Sequence, residues 1–420
     1  MGSRARKMPD TAAGNVSGKR KFVWNMIGSM ANALSSFVLL TFVTRILGST
    51  DGGVFSLAFS TAQFLSSIGC FEARAIQATD VKGERKFADY FCFRAMTAAA
   101  MMLCGIVYVT GAGHTGEKAA VILIICLYKV IDCISDSFQG LFQVKDRIDL
   151  SGMALGLRVI LSTVLFIIIL TVTKNMVLAS VCMCIVSVFY ILMFDWKISR
   201  SYGTLCEKPD FSAVKTLFFA CIPLFIGNFM ASYVINAPKY AIDRYLTDEI
   251  QNHFGFLLMP AFVINLFSLF AFRPMLTALA VSWEKKEQKQ FRSIIGKSIA
   301  WILILTFGAV LGAYLLGIWI LNGFSGLDLS AYRRDLVLIM LGGSMNAFIT
   351  VFYYVLTVMR KQLLVLAGYG IGFVSSLILA PLLVQRYGIH GASVSYGLPM
   401  MLTAIFFGVC IVIEMKKENK

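Results

Sequence analysis

Charged residues are scarce in this chain, and their scarcity argues against most classes of soluble protein. Only 15% of the 420 residues are charged, 58% are hydrophobic, and the mean hydropathy is +0.76. Soluble domains contain about 25% charged and about 45–50% apolar residues. The composition therefore predicts a membrane protein with several spans, to which soluble-domain counting does not apply.

Patterns typical of catalytic or metal sites are also missing. The ten cysteines mostly lie inside apolar runs, at no spacing typical of metal ligands or of a disulfide framework. Residues 295–298 (IGKS) resemble the end of a phosphate-binding loop, but Phe291 occupies the place of its first glycine. The three histidines lie far apart in predicted turns. We therefore expect no enzyme, no cofactor and no metal, and no nucleotide-binding domain that would drive an ATP-powered pump.

Acidic residues are fewer than basic ones, but the excess of positive charge does not indicate nucleic acid. The chain has 38 lysines and arginines and 23 aspartates and glutamates, for a net charge of +15. Most of the basic residues flank alternate apolar runs, which is the signature of membrane topology. Both termini are therefore predicted to be cytoplasmic, and no nucleic-acid partner is expected.

The apolar runs predict an all-α membrane protein with about twelve transmembrane helices. The predicted spans are 22–45, 53–71, 91–111, 117–143, 152–173, 176–195, 213–240, 255–276, 295–321, 335–358, 362–385 and 391–414. The loops on the outer side are short and leave no room for an extracytoplasmic catalytic domain. We predict a basic tail at 1–21, lobes at 22–200 and 213–414, a linker at 201–212 and a tail at 415–420.

An internal repeat divides these helices into two sets of six. Laying residues 22–59 on 221–258 matches Gly28 with Gly227, Arg45 with Arg244, and Phe55 with Phe254. In both copies an arginine ends one helix, and a phenylalanine ten residues later opens the next. Because the first helix of each set starts inside, the repeat is parallel, and the two lobes are related by a pseudo-twofold axis.

A polar stripe marks the fourth predicted helix. Its members follow one another at spacings of three and four residues, and they are Lys129, Asp132, Asp136, Gln139 and Gln143. An ionisable group in the middle of a membrane costs about 2.5–3.5 kcal/mol, so such groups face a cavity or pair. Lys129 can reach Asp132, and Arg158 in the next helix can pair with these acids. The stripe either satisfies itself within the bundle or forms a wall of a hydrated cavity.

Three other helices carry polar candidates. Residues 236–244 (NAPKYAIDR) put Asn236, Lys239 and Asp243 on one face near the outer end of the seventh helix, as a gate or as an interfacial ion pair. Asn265 and Arg273 lie in the eighth helix, where Arg273 either faces a cavity or snorkels to the interface. Asn25, Ser29 and Asn32 share a face of the first helix, which lines a pathway or marks close packing.

Five stretches together resemble the bacterial polysaccharide transport family, the flippases of lipid-linked oligosaccharides in O-antigen and capsule synthesis. They are residues 25–32 (NMIGSMAN), 44–48 (TRILG), 74–81 (RAIQATDV), 132–136 (DCISD) and 236–244. That family belongs to the superfamily of multidrug, oligosaccharidyl-lipid and polysaccharide exporters. The resemblance covers nearly the whole chain, including its length and its six-plus-six halves.

The resemblance implies a V-shaped pair of lobes around a central cavity, in a bacterial cytoplasmic (inner) membrane. It implies alternating access for an undecaprenyl-diphosphate-linked sugar repeat unit, with a proton or sodium gradient as the driving force. Membrane lipids, a polysaccharide polymerase and glycosyltransferases are the further partners it implies. Cationic and polar cavity residues would attract the diphosphate and the sugar, and we expect them at Lys129, Arg273, Lys239, Arg244, Arg45, Asn236, Asn265 and Asn32. Asp132 and Asp136 are the candidates for coupling-ion binding.

Two rival functions stay open on the sequence alone. A cation-coupled exporter of small drugs would share the fold, but a cationic cavity disfavours cargo that is itself mostly cationic. A membrane enzyme acting on lipid-linked sugars would need a large loop or a soluble domain with paired carboxylates, and the sequence offers neither.

Overall fold

The computed structural model describes residues 17–80, 83–202, 207–272 and 275–417, and they contain helices and turns without a strand. The helices are α1 (Gly18–Leu47), α2 (Ser49–Cys70), α3 (Ala73–Thr79), α4 (Phe87–Gly111), α5 (Gly116–Val144), α6 (Ile148–Thr173), α7 (Met176–Tyr190), α8 (Lys197–Ser201), α9 (Phe211–Tyr245), α10 (Asp248–Phe272), α11 (Met275–Glu284), α12 (Gln288–Gly312), α13 (Ile318–Ser325), α14 (Arg333–Val358) and α15 (Gln362–Lys417). π-Helical turns at Ile191–Trp196 and Ala313–Gly317 join α7 to α8 and α12 to α13.

Across the described residues, these helices give the twelve passes that the sequence predicts. Nine spans are long and apolar enough to cross a membrane. One of them, α15, breaks at Gly388, whose positive φ of 58° divides it into two passes. α5 and the α10–α11 pair supply the other two. The chain is a polytopic, all-α membrane protein.

Short turns place successive helix ends on two faces of the bundle. One face, here called the basic face, carries the turns after α3, α5, α8, α11 and α14, and its contacts include the Lys21–Asp146 ion pair at 2.6 Å. The other, here called the opposite face, carries the turns after α1, α4, α6, α9 and α13. There the Nδ1 of His390 lies 2.7 Å from a carboxylate oxygen of Asp335.

The same pairs of helices pack against each other within each lobe, as the internal repeat predicts. In the first lobe α1 packs mainly on α6, and α2 packs on α5. In the second lobe α9 packs on α15, and α10 packs on α14. These pairs are helix 1 with helix 5 and helix 2 with helix 4 of each set, so the two lobes share one packing plan. The predicted boundaries at 200 and 213 stay a prediction, since residues 203–206 lie outside the described residues.

Backbone contact between glycines fixes the crossing of α1 and α6. A Cβ on Gly28 would lie 2.7 Å from the carbonyl oxygen of Gly152, and one on Gly156 would lie 3.1 Å from the Cα of Gly28. Gly152 and Gly156 are four residues apart, the spacing of small residues that lets membrane helices approach closely. The first helix is therefore anchored to its own lobe.

The two lobes are joined along one whole side. α9 of the second lobe packs on α2, α3 and α4 of the first. Near the basic face the ring of Phe71 stacks on Phe225 with centroids 4.0 Å apart, and it also contacts Phe218 at 5.3 Å. Nearer the middle of α2, Phe64 contacts Phe229 at 4.8 Å. This seam between α2–α4 and α9 extends over both halves of the bundle.

On the other side, α1 meets the second lobe near the opposite face. The side-chain contacts of α1 across the lobes lie at Phe37, Thr44 and Arg45. In the half of α1 near the basic face, by contrast, Asn25, Ser29 and Asn32 are exposed, as is an apolar row of Met26, Met30 and Leu34. We call this exposed face of residues 18–34 the α1 slot.

Candidate functional site

The stripe on α5 forms two ion-pair clusters inside the first lobe. In the first cluster, the Nζ of Lys129 lies 3.0 Å from Oδ2 of Asp132, and Arg158 of α6 donates to Oδ1 of the same carboxylate. Lys129 also lies over the ring of Phe59, 4.9 Å from its centroid. All three members are largely buried. The predicted pairings of Lys129 and Arg158 with the acids of this helix are confirmed.

The second cluster lies one turn nearer the basic face. Oδ1 of Asp136 accepts from Arg74 of α3 at 2.8 Å, and Oδ2 accepts from Arg94 of α4 at 2.7 Å. Arg74 also donates to Gln139 at 3.1 Å and to Ser151 at 3.0 Å. The Arg74 side chain is 34% exposed, whereas that of Arg94 is 1% exposed. Arg74 is thus the cation of this cluster that a solute can approach.

A break between α2 and α3 positions Arg74. Phe71 and Glu72 both have positive φ values, 42° and 54°, in a region that few residues other than glycine adopt. Arg94 donates to the carbonyls of Gly69 and Cys70, and Thr97 donates to Gly69 at 2.8 Å. These bonds satisfy the last carbonyls of α2, where a cation is also favoured by the helix dipole.

The loop after α3 is tied down by Asp80. Its carboxylate accepts from the backbone amides of Glu84 at 2.9 Å and Arg85 at 3.1 Å, and from the hydroxyl of Tyr90 at 3.0 Å. Partial burial opposes ionisation, but these hydrogen bonds outweigh it and hold the pKa of Asp80 below its usual value. The ionised Asp80 fixes the end of α3 against α4.

A further buried acid was not predicted from the sequence. Asp195 lies in the π-helical turn that follows α7, and its carboxylate accepts from the hydroxyl of Ser135 at 2.6 Å. Asp195 thus contacts α5 through Ser135, which is not a member of the polar stripe. π-Turns often mark functional sites, but a single acid at the end of an apolar run gave no periodic signal in the sequence.

Lys239 is placed differently from the prediction. Its Nζ donates to Oγ of Ser60 on α2 at 2.5 Å, across the two lobes. The idea that Lys239 pairs with Asp243 is wrong, because Asp243 binds Lys118 of α5 at 2.8 Å. The two side chains share a helix but reach different partners. Within the described residues, Lys239 forms no ion pair.

Aromatic side chains lie on α9 and α2, the two helices that this lysine joins. Phe64 of the first lobe contacts Tyr233 at 5.8 Å and Tyr240 at 5.9 Å, and Tyr233 also contacts Phe373 of α15 at 4.9 Å. Asn236 lies one turn from Lys239 on α9 and donates to the carbonyl of Ser232. A cation and aromatic rings on the same pair of helices suit an anionic group attached to sugar rings, since rings stack on sugars and the cation attracts the charge.

The arginines matched by the repeat have different surroundings. Arg45 donates to the carbonyls of Gly323 and Phe324, at the end of α13 in the second lobe. Arg244 is exposed and lies 5.5 Å from the ring of its neighbour Tyr245. The structure therefore gives Arg45 a role in joining the lobes near the opposite face, and it gives Arg244 none.

The other predicted site residues are Asn32, Asn265, Arg273 and Lys129. Asn32 is exposed on α1 as part of the α1 slot. Arg273 and the side chain of Asn265 lie outside the described residues. Lys129, which was predicted to attract the cargo, is buried and engaged by Asp132. The structure thus does not gather the described members of the predicted cations into one site; these members are Lys129, Lys239, Arg45 and Arg244.

No family model matches the chain. The capsular polysaccharide biosynthesis protein CapF of Staphylococcus aureus is 20% identical over 400 residues, which cover 92% of this chain and 98% of CapF. The resemblance to the polysaccharide transport family that the sequence predicts is confirmed at this level.

Solved structures agree on the fold. A multidrug resistance MATE family transporter of the MOP superfamily, in an inward-facing conformation, matches with a TM-score of 0.67 at 11% identity, over 95% of this chain and 98% of the other. The chain has the fold of MOP-superfamily transporters. The lipid II flippase MurJ, in an inward closed conformation, matches with a TM-score of 0.69 at 12% identity, over 93% and 87% of the two chains. One of these two neighbours is thus a multidrug transporter and the other is a lipid flippase.

Proposed function

We propose that the chain flips a polyprenyl-diphosphate-linked oligosaccharide, of the undecaprenyl type, across a bacterial cytoplasmic membrane for surface polysaccharide synthesis. No covalent bond changes in this process. The proposal includes alternating access of the two lobes and a basic face in the cytoplasm, since loops rich in lysine and arginine stay on that side. With that orientation, the described conformation is closed toward the outside.

The α1 slot is the observation that carries the proposal. The α2–α9 seam closes one side of the bundle, but the half of α1 near the basic face exposes Asn25, Ser29 and Asn32, to which the described residues give no hydrogen bond across the lobes. Polar side chains are costly against hydrocarbon, so this row belongs beside a hydrated space. A lipid-linked cargo needs both a hydrated space for its head and a side exit for its tail.

Charge suits the same cargo. A diphosphate cannot cross hydrocarbon unaided, because burying an unpaired charge is very expensive. Lys239, which has no acid partner among the described residues, and the partly exposed Arg74 supply positive charge at two levels. The rings of Phe64, Tyr233 and Tyr240 supply surfaces for sugars. We propose Lys239 and Asn236 as cargo contacts in the opened seam.

Coupling to a proton or sodium gradient is the finer part of the proposal. Asp132 and Asp136 stay the predicted coupling residues. Each is held by two cations, so binding of an ion at either carboxylate requires one of these cations to change partner. Such an exchange would link ion binding to the packing of α3, α4 and α6 on α5.

The test is a flipping assay in proteoliposomes. A polyprenyl-diphosphate disaccharide with a nitrobenzoxadiazole label is supplied, and dithionite reports the leaflet that the label occupies. We expect protein-dependent flipping of this lipid and none of a labelled phosphatidylcholine. Transport of ethidium without flipping would instead support an exporter of small cations. Cleavage of the diphosphate, seen by mass spectrometry, would support a membrane enzyme.

A further inference from the structure

One lysine of the first lobe lies between two acids of the second lobe. The Nζ of Lys118, at the start of α5, donates to Oδ1 of Asp243 at 2.8 Å and to Oδ1 of Asp248 at 2.6 Å. Asp243 lies near the end of α9, and Asp248 begins α10. The side chain of Asp243 is 7% exposed and that of Lys118 is 22% exposed. The contact therefore spans the lobes at the opposite face with little access to solvent.

Other groups of the first lobe also surround Asp243. Nε2 of His114 lies 3.1 Å from its Oδ2, at an angle outside hydrogen-bond geometry, and the hydroxyl of Tyr108 lies 3.5 Å from the same oxygen. An acid in the last turn of a helix is disfavoured by the helix dipole. Asp243 therefore depends on the other lobe, and above all on Lys118, for compensating positive charge.

The other described contacts between the two lobes at this face join neutral groups or bear only one charge. Thr44 and Asn252 share a hydrogen bond of 3.1 Å between neutral side chains, and Arg45 binds backbone carbonyls of α13. Gly53 lets the backbones of α2 and α10 touch, since a Cβ there would collide with the carbonyl of Asp248. Bonds between two ions are about twice as strong as neutral ones. Lys118 thus makes the strongest described bond across this face.

We propose that Lys118 is the latch of the opposite face, held by Asp243 and Asp248, and that its release is the step that lets this face open. The proposal rests on the alternating access of the proposed function. When the lobes part, Asp243 and Asp248 stay on the second lobe while Lys118 leaves with the first. Opening then leaves Asp243 at the end of α9 without the compensating charge of Lys118. The free-energy cost of losing this contact therefore lowers the population of the open state.

Hydrogen–deuterium exchange of the purified full chain in lipid nanodiscs tests the latch without any cargo. In Lys118→Gln, the amides of residues 44–53 and 246–252 should exchange at least tenfold faster than in the native protein. The seam near Phe71 and Phe225, at the basic face, should keep its exchange rate. Lys174→Gln is the matched control, because Lys174 is an exposed lysine of the same face. It should change neither region.

A double-mutant cycle separates a latch from general destabilisation. Lys118→Gln, Asp243→Asn and their combination should show the same faster exchange if they break one contact, whereas independent effects would multiply. Exchanging the charges with Lys118→Asp and Asp243→Lys should restore part of the protection. Where Lys118→Gln fails to fold, Asp248→Asn, which leaves one bond in place, should still give a smaller increase.

Unchanged exchange at 44–53 and 246–252 in a folded Lys118→Gln protein overturns the latch. This outcome is distinct from failure of the proposed function, because the exchange experiment contains no lipid-linked sugar. If the flipping assay fails but exchange is faster in Lys118→Gln, the proposed cargo is contradicted and the proposed latch is supported.

Discussion

Lys239 of the second lobe reaches Ser60 of the first, with 2.5 Å between Nζ and Oγ. This lysine carries a charge at a lobe boundary, where no described acid balances it. An ionised group bonded only to a hydroxyl retains much of its attraction for an arriving anion. Under the proposed alternating access, the contact therefore holds a cation ready on the surface that α2 and α9 would expose on separating.

Replacing Lys239 should impair flipping without impairing folding. Loss of one charge-assisted bond to a diphosphate, about 1.5–3 kcal/mol, corresponds to a fall of about 10–100-fold in the flipping rate of Lys239→Met. Lys239→Arg should keep most of the rate. The dithionite assay measures both, with thermal unfolding as the check on folding. Native flipping in Lys239→Met would take this residue out of the cargo path.

Arg94 and Arg74 bind one carboxylate, and they should respond differently to truncation. Arg94→Ala removes a buried cation from Asp136 and uncaps α2, so we expect a loss of about 3–5 kcal/mol, as for broken buried ion pairs. Arg74→Ala leaves Asp136 with Arg94 and should cost less, because Arg74 is partly exposed. Thermal unfolding of both variants in the same detergent measures which one loses more stability. Equal unfolding midpoints in Arg94→Ala and Arg74→Ala would contradict this prediction.

The repeat-matched arginines offer a paired comparison near the opposite face. Arg45→Ala loses its bonds to the carbonyls that end α13, so we expect faster amide exchange at 322–326. Arg244→Ala removes an exposed side chain and should stay within about 0.5 kcal/mol of native stability. The same exchange experiment covers both variants. A larger effect in Arg244→Ala than in Arg45→Ala would contradict the assignment of these two roles from their described contacts.

Asp132→Asn tests ion coupling. The amide cannot balance both Lys129 and Arg158, so we expect lower stability and an altered dependence of flipping on a proton or sodium gradient. Asp195→Asn is a useful comparison, because Asp195 is buried nearby but hydrogen-bonded to Ser135. Flipping is measured with each gradient imposed alone. An unaltered gradient dependence in Asp132→Asn would point to another coupling site.

Close backbone contact makes Gly28 intolerant of a larger residue. A Cβ at Gly28 would press on the backbone of Gly152, which cannot rotate away. We expect Gly28→Leu to lower the unfolding midpoint and to weaken the packing of α1 on α6. Gly296→Leu, on the membrane surface of α12 with open space around it, is the control. Similar midpoints in the two variants would contradict this packing.

Periodicity in the sequence explains which features were predictable. The apolar runs predict the passes, and the three–four spacing on α5 predicts that Lys129 and Asp132 share a face. Arg94 escapes prediction because it lies three residues after the predicted start of its helix, where a basic residue is expected simply to flank the membrane. The partners Lys118 and Asp243 are 125 residues apart. Such a contact depends on how the two lobes pack against each other, and the periodicity of a single helix cannot predict it.

The α1 slot also bears on what such a protein can select. Under the proposed function, an entry at this exposed face would leave the hydrocarbon tail of the cargo in the bilayer, so the tail would never have to fit between the lobes. Only the head group would pass Asn25, Ser29 and Asn32. The size of the sugar should therefore limit transport, whereas carriers with short or long isoprenoid chains should serve equally well.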